Sequence, residues 1–477
     1  MALWQFVDSV AASPTVRLDL NAGLLRIGDG FDLSPAPVRR SIASSMLTDG
    51  EQITGWTYGN RTLVLPVQLL TSSADEAATQ LQRLGRELAR DSNILRVQLG
   101  TVPYFFRTFA APDYTFKMLK TLVELGKATL EIPADPFAYG LREDVAVGVV
   151  TNNPAAATRG GFFDVTGVKG DVPAPLIIKD ISSGLHPFGI LATRSRGTPS
   201  DLVWFAQAED IAVVTAGTDT TNPGGGPDAA MSGTGTNNYL RTDFATATMQ
   251  TRLTWSIGNG LTDGQKKAIR GTYRVFVVVR RSAAASVMTA RTSWDASWSG
   301  ADANGPTVTI PQSTSRQLVD LGLFNIGPEK EVRPGRFGSE APLLAQQIRI
   351  EAARTGAAEN LDWDLILLVP ADESWLSWFT GFAEDTSYDA LIDAETESVY
   401  VYENGADPFA GSADVFPTKW AQLAGGFPMV KPGVTNRVFM LTSLNITIPG
   451  VNSTVASTYD ISAHYWPRYL FIRPVAS

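Results

Sequence analysis

The chain has 477 residues, 44% hydrophobic and 18% charged, which suits several domains with their own cores and excludes global disorder. It contains no cysteine, so disulfide stapling, zinc–thiolate sites and thiol catalysis are excluded together. Its formal net charge is −9, and neither the first third nor the remainder is basic, so no sequence-specific nucleic-acid binding is expected.

The N-terminal run Met1-Ala2-Leu3-Trp4-Gln5-Phe6-Val7-Asp8 has no basic n-region and meets an acid early. No cleaved secretory leader is expected, and no apolar run reaches the length that crosses a bilayer. Val16-Arg17-Leu18-Asp19-Leu20 alternates cleanly, and Leu24–Ile27 follows the turn-rich Asn21-Ala22-Gly23. These predict hairpins that extend a sheet, with Asp32–Pro37 as an exposed loop. Arg61–Leu69 then puts Leu63, Leu65, Val67 and Leu69 on one face at period two, a half-buried strand. Pro66 within it predicts an edge position or a bulge. Ser73 and Glu76 have the spacing of a capping box. The helix they open places Ala77, Leu81, Leu84 and Leu88 on one side, so it must lie on the neighbouring strands. The chain returns through Ile94–Leu99, and Lys127–Ile132 runs on into Ala134-Asp135-Pro136-Phe137-Ala138-Tyr139-Gly140. Between them, the aromatic run Tyr104–Phe109 reads either as a contact to a neighbouring subunit or as an ordinary core strand.

This ordering resembles the N-terminal domain of the distal tail proteins of long-tailed bacteriophages. Three features carry the resemblance: the strand start Gly59-Asn60-Arg61-Thr62-Leu63, the helix with Leu84 and Leu88 after Ser73-Ala74-Asp75-Glu76, and the strand closing on Ala134–Gly140. The resemblance covers roughly the first third of the chain, and a second piece returns near the C-terminus. There, Leu391-Ile392-Asp393, the Phe427-Pro428…Pro432-Gly433 element and Trp466-Pro467-Arg468-Tyr469 resemble the galectin-like second domain of that family.

With 28 Pro, 42 Gly and many short alternating runs, the expected class is mainly β. Residues 1–140 are expected to form a β-sheet domain with one packed helix. Residues 141–195 and 373–477 would form a discontinuous galectin-like β-sandwich, as the resemblance implies. Residues 196–372 would be an inserted jelly-roll β-sandwich resembling carbohydrate-binding modules. The strands of that insert are Tyr273–Val279, Thr307–Ile310, Ile348–Glu351 and Asp362–Val369, with a flexible loop at Asn222–Asp228. Insertion into a surface loop adds little closure entropy per residue.

Chemistry is sparse in this chain. His186 and His464 are its only histidines, and neither sits among ligands at metal or triad spacing. No phosphate loop, zincin or nucleophile-elbow motif occurs. Asp362 and Asp364 flank Trp363 and would point the same way from a strand, as solvated acids or, at a stretch, a catalytic or calcium-binding pair. No catalytic, cofactor or metal residue is expected. Tryptophan is the better lead: Trp255, Trp294, Asp295 and Trp298 are candidates for holding a sugar face, against the plainer reading of indoles packed under a loop.

The resemblance implies a structural protein of the virion tail tip, assembled in the bacterial cytoplasm, and not an enzyme. It would form a ring, hexameric in the family, between the tail tube and the baseplate. Its partners would be the tail tube, tape measure, tail hub and receptor-binding or other minor tail proteins, with host-surface glycan as a further contact. Its ring interface would draw on Leu63, Leu65, Val67, Leu95, Val97, Leu99, Tyr104 and Phe106. Two other readings stand beside it: a multidomain carbohydrate-binding protein outside any virion, and a tail-associated polysaccharide depolymerase.

Overall fold

A computed structural model describes residues 3–472 apart from 45–50, 72, 111–113, 119–125, 152–160, 181–187, 196–204, 212–218, 222–238, 245–246, 258–270, 282–285, 297–300, 315, 327–345, 380–387, 404–418, 421 and 443–457. The chain is mainly β, with one helix among the described residues. None of the described helical segments is long and apolar enough to cross a membrane. Two compact units emerge: Met1–Asp144 with Val168–Ala174 and His464–Ser477, and Val145–Gly167 with Pro175–Ala463.

The first unit contains β1 (Leu3–Val7), β2 (Val16–Asp19), β3 (Leu25–Ile27), β4 (Val38–Ser44), β5 (Glu51–Tyr58), β6 (Arg61–Leu69), α1 (Ala74–Leu88), β7 (Ser92–Gln98), β8 (Pro103–Phe109), β9 (Tyr114–Met118), β10 (Gly126–Ala134) and β11 (Ala138–Tyr139). Its ten-stranded sheet runs β2-β1-β7-β8-β10-β6-β3, with β9 on β10, β11 on β8 and Arg468–Tyr469 on β11. Burial along β6 alternates as its sequence predicts. Leu63, Leu65 and Val67 stand opposite Ile132, Leu130 and Ala128 of β10, so these pairs face one core. Leu84 and Leu88 of α1 enter the same core, and Leu81 packs against it. Fully burying one such leucine contributes about 1.5–3 kcal/mol. Ser73 caps the helix, its side chain accepting from the Glu76 amide at 3.2 Å. Pro66 is neither at a full edge nor at a bulge. It sits where the short β3 ends, its carbonyl accepting from the Gly28 amide at 2.7 Å, on a side where no proline donor is required.

In the second unit, strands drawn from residues 205–370 form two sheets. One holds Asp219–Thr221, Leu240–Phe244, Glu359–Pro370, Gly271–Arg281 and Gln317–Ile326 in that order, with Phe205–Gln207 also on Glu359–Pro370. The other holds Gln250–Ile257, Gln346–Gly356, Ser286–Ala296 and Ala301–Asn304, with Val308–Ile310 also on Ser286–Ala296. Leu253, Ile348 and Ile350 of one sheet meet Val275, Val277, Trp363 and Leu368 of the other in a single core, which makes a sandwich. Strands drawn from residues 143–194 and 374–465 form two further sheets, of six and five strands. A turn follows Leu391-Ile392-Asp393, the Asp393 carboxylate accepting from the amides of Glu395 and Thr396.

These two parts of the second unit share an apolar layer. Ile190, Ala192 and Phe439 pack against Phe276, Val278, Leu365, Leu367 and Val369. Strand Glu359–Pro370 is therefore covered on both faces, which is why it reads as an apolar run and not as an alternation. Its facing switches at Asp364, because Leu365 stands opposite Val278 while Trp363 stands opposite Val279. Asp364 is the extra residue of a β-bulge.

Candidate functional site

The residues expected to make the ring interface are core residues. Leu63, Leu65, Val67, Leu95, Val97, Tyr104 and Phe106 are all at most 5% exposed within the first unit's own core, and Leu99 packs against it. The apolar face of an alternating strand goes to the helix its own domain supplies, so it has nothing left to offer a neighbour. The aromatic run Tyr104–Phe109 is likewise a core strand, leaving only Phe109 substantially exposed.

The β4–β5 ribbon is a separate two-stranded sheet among the described residues. Its register runs from Val38 opposite Tyr58 to Ser44 opposite Glu51, and among the described residues it pairs with no other strand. Val38 is 49% exposed at its base, where the Gly59 amide donates to the Pro37 carbonyl and the Tyr58 ring meets Phe137 edge-on. An isolated two-stranded ribbon is marginal in water, so this one requires support from elsewhere.

The sugar-binding candidates divide. Trp255 is only 9% exposed and belongs to the sandwich core, and Trp294 packs against that core with its ring 5.3 Å from Phe324. Burial in the core corrects the reading of Trp255 as a stacking platform, while Trp294 is half-buried. The stretch around Trp294 is a strand, Ser286–Ala296, whose inward positions Met288, Ala290 and Trp294 were hidden by the small polar residues between them. Asp295 lies in that strand opposite Asp302, while Trp298 and the side chain of Asp295 lie outside the described residues. The Asn222–Asp228 loop and His186 do too.

The paired acids are also accounted for. The bulge separates them: Asp362 receives Arg241 at 2.6 Å and Arg280 at 2.8 Å, and Asp364 receives Arg316. Each carboxylate is ion-paired and buried, which corrects the picture of two solvated acids pointing together. Bonding to Asp362 raises the Arg241 guanidinium above its ordinary range despite burial. No group of three His, Cys, Asp or Glu side chains suited to a metal occurs among the described residues.

One cluster has the residue types of a serine–lysine dyad. Lys431 Nζ lies 3.1 Å from Ser195 Oγ, and Ser195 Oγ donates to Glu373 at 2.6 Å. Lys431 also pairs with Glu373 at 3.1 Å, and the Ser195 amide donates to the same carboxylate at 2.9 Å. The Glu373 carboxylate thus ties Ser195 and Lys431 together as a clasp. It joins the residues at which the chain leaves for the 205–370 sheets and comes back. Beside it Arg194 donates to the Tyr273 hydroxyl, and Gly271, at φ 147°, leaves room for Asp372.

The aromatic-Pro-Arg-Tyr strand, expected in the second sandwich, belongs to the first unit. Arg468–Tyr469 pairs with β11, and Arg61 donates to the carbonyls of Pro136 and Leu470. Burial pulls the Arg61 guanidinium down to about 10 and pushes the Tyr469 hydroxyl up to about 12.

No known protein family and no curated protein matches this sequence. Among solved structures it is similar to the SPP1 Dit (gp 19.1) protein, with 10% identity and a TM-score of 0.37 over 99% of this chain and 100% of that one. It is similar to a chain of the phage P2 baseplate in its activated conformation with Ca, with 11% identity and a TM-score of 0.25 over 75% and 99% of the two chains. A third likeness is the CBM22-1–CBM22-2 tandem of Paenibacillus barcinonensis Xyn10C, with 12% identity and a TM-score of 0.21 over 58% and 100%. Likeness at this level transfers no residue role.

Proposed function

We propose that this chain is a structural protein that works by assembly and carries no catalytic site. Within that class we infer a distal tail protein of a long-tailed bacteriophage. It forms a ring, hexameric by the family resemblance, that joins the tail tube to the tail tip and contacts the tape measure, hub and receptor-binding components. The ring is built in the bacterial cytoplasm and carried in the virion. We read residues 145–167 and 175–195 with 373–463 as the outer sandwich and 196–372 as its insert.

The observation that carries this reading is the self-paired β4–β5 ribbon, whose natural support is a neighbouring copy in a closed ring. The test is electron microscopy and sedimentation of the full chain beside the double variant Ile42→Pro/Ala43→Pro. Successive strand amides point to opposite sides, so one of the two prolines must remove a donor facing β5. Wild type is expected to give closed rings with a central hole. The variant is expected to stay monomeric while its unfolding free energy changes by about 0.5 kcal/mol or less, since among the described residues the ribbon pairs with no other strand. A wild-type monomer that also refuses purified tail tube would overturn the reading.

Glycan contact by the insert now depends on Trp298 and Asp295. Binding of the full chain to host-surface polysaccharide is expected, and Trp298→Ala is expected to weaken it about tenfold, roughly one lost stacking contact. Retention of full binding by that variant would remove Trp298 from the proposal.

A further inference from the structure

The first unit is completed by chain that arrives very late. Ala138 and Tyr139 of β11 pair with Tyr469 and Arg468, and the Gly140 amide donates to the Pro467 carbonyl at 2.8 Å. Arg61 reaches the Leu470 carbonyl at 3.3 Å across 409 residues of sequence. Residues 168–174 hold the other side. The Asp171 amide donates to the Arg468 carbonyl at 2.8 Å, the Leu470 amide donates to the Asp171 carboxylate at 3.1 Å, and the Lys169 amide donates to the Tyr465 hydroxyl at 3.0 Å. Apolar contacts follow the same path. Tyr469 meets Tyr104 edge-on and, with Ile472, packs on the main core of the unit, while Trp466 packs on Val7, Phe105 and Tyr139. Two glycines make room: a Cβ on Gly170 would stand 2.7 Å from the Arg468 carbonyl oxygen, and one on Gly140 would stand 3.0 Å from the Tyr469 ring.

Docking this segment is opposed as well as favoured. Arg61 is 3% exposed, its nearest acceptors are carbonyls, and its Nη1 has no hydrogen-bond partner. A buried guanidinium whose acceptors are all neutral costs desolvation energy that it would not bear if water reached it. Release of the segment would let water reach the corner formed by Arg61, Phe106 and Pro136 and relieve that cost.

We propose that residues 464–472 are a strap whose docking switches the first unit into its ring-forming state. A chain that is still being made, or whose strap is undocked, then stays out of the ring. The second half of this inference rests on the ring reading, and the first half does not. During synthesis β6–β11 emerge long before the strap, so a unit able to assemble without it would recruit incomplete chains.

The test uses the full chain. In pulse-labelled refolding, the amides of β8 and β11 are expected to gain exchange protection in the same phase as those of Arg468 and Tyr469. Their protection in an earlier phase would overturn the strap. The second measurement is Gly170→Ala, which keeps every residue but places a methyl against the Arg468 carbonyl at φ 115°. Exchange at Arg468–Leu470 is expected to rise at least tenfold and ring formation to fall in proportion, with exchange in Glu359–Pro370 unchanged. Undiminished rings from a variant with a released strap would overturn the switch. If wild type forms no ring, the ring reading fails, and the exchange coupling alone decides whether the strap closes the unit.

Discussion

Replacing Glu359 with alanine is expected to destabilise the second unit by about 3–5 kcal/mol, the cost of leaving a buried charge without its partner. The side chains of Arg281 and Glu359 are 3% and 0% exposed, and the pair is bidentate, with Nε to Oε1 at 2.9 Å and Nη2 to Oε2 at 2.8 Å. Arg281 also donates to the carbonyls of Ile310 and Ser286, so its guanidinium is fixed at the end of three strands and cannot swing out to water. Burial pushes the Glu359 carboxyl up, but hydrogen bonds from Arg281 and Ser286, with the charges of Arg281 and Arg354, outweigh it and hold the group below its ordinary value. The sign follows: a carboxyl depressed in the folded state stabilises fully above its unfolded pKa of 4.5, and that contribution fades as the pH falls through the lower folded value. Urea unfolding of wild type and Glu359→Ala at pH 7 measures the loss. The gap between them is expected to narrow as the pH is taken below 4.5. The double variant Arg281→Met/Glu359→Met is expected to lose less than the single one, because no charge is left stranded. Additive losses would mean the two groups are not coupled.

How much of this was legible beforehand differs by element. Period-two alternation in Arg61–Leu69 and the Ser73 cap were readable because each signal is local, and the structure has both as expected. Alternation says which face of a strand is apolar, however, and not what covers it. Leu63, Leu65 and Val67 therefore looked like assembly residues until the helix was seen lying on them. The β4–β5 ribbon, which among the described residues pairs with no other strand, has a weaker pattern, with Arg39, Arg40 and Ser41 in sequence. Its one local sign was Asp49-Gly50 between two strand-forming runs, a hairpin signal. Trp255 was misread for a related reason: an indole among polar neighbours looks exposed, yet every second residue of a strand can face a core. The bulge at Asp364 and the pairing of Arg468–Tyr469 with β11 lay beyond local reading altogether. One depends on a strand slipping by a residue against its partner, and the other joins segments whose separation carries no pattern.

Gly189→Ala is expected to cost at least about 3 kcal/mol, at or beyond the upper end of ordinary overpacking. Gly189 stands directly opposite Trp378 on the neighbouring strand, and a Cβ added there would lie 1.9 Å from Cζ2 and 2.3 Å from Cε2 of the indole. Trp378 is 1% exposed, so the ring has no open space to retreat into, and expelling it would expose one of the largest apolar surfaces in the sheet. The damage would not stay local. The next residue, Ile190, with Ala192, belongs to the layer that meets Phe276, Leu365 and Leu367 of the inserted sheets. Because the two parts share that layer, the substitution is expected to lower one cooperative transition that both report, and not a separate sandwich transition. Denaturant unfolding followed by hydrogen exchange in Phe188–Arg194 and in Glu359–Pro370 reads both parts at once. Loss of protection in the first strand with the second unaffected would show that the insert stands alone. Trp378→Phe in the Gly189→Ala background is expected to recover part of the loss, since the smaller ring vacates the space the new methyl needs. A glycine opposite a buried tryptophan is thus a packing requirement, and it ties the stability of the sheets of residues 143–194 and 374–465 to that of the sheets of residues 205–370.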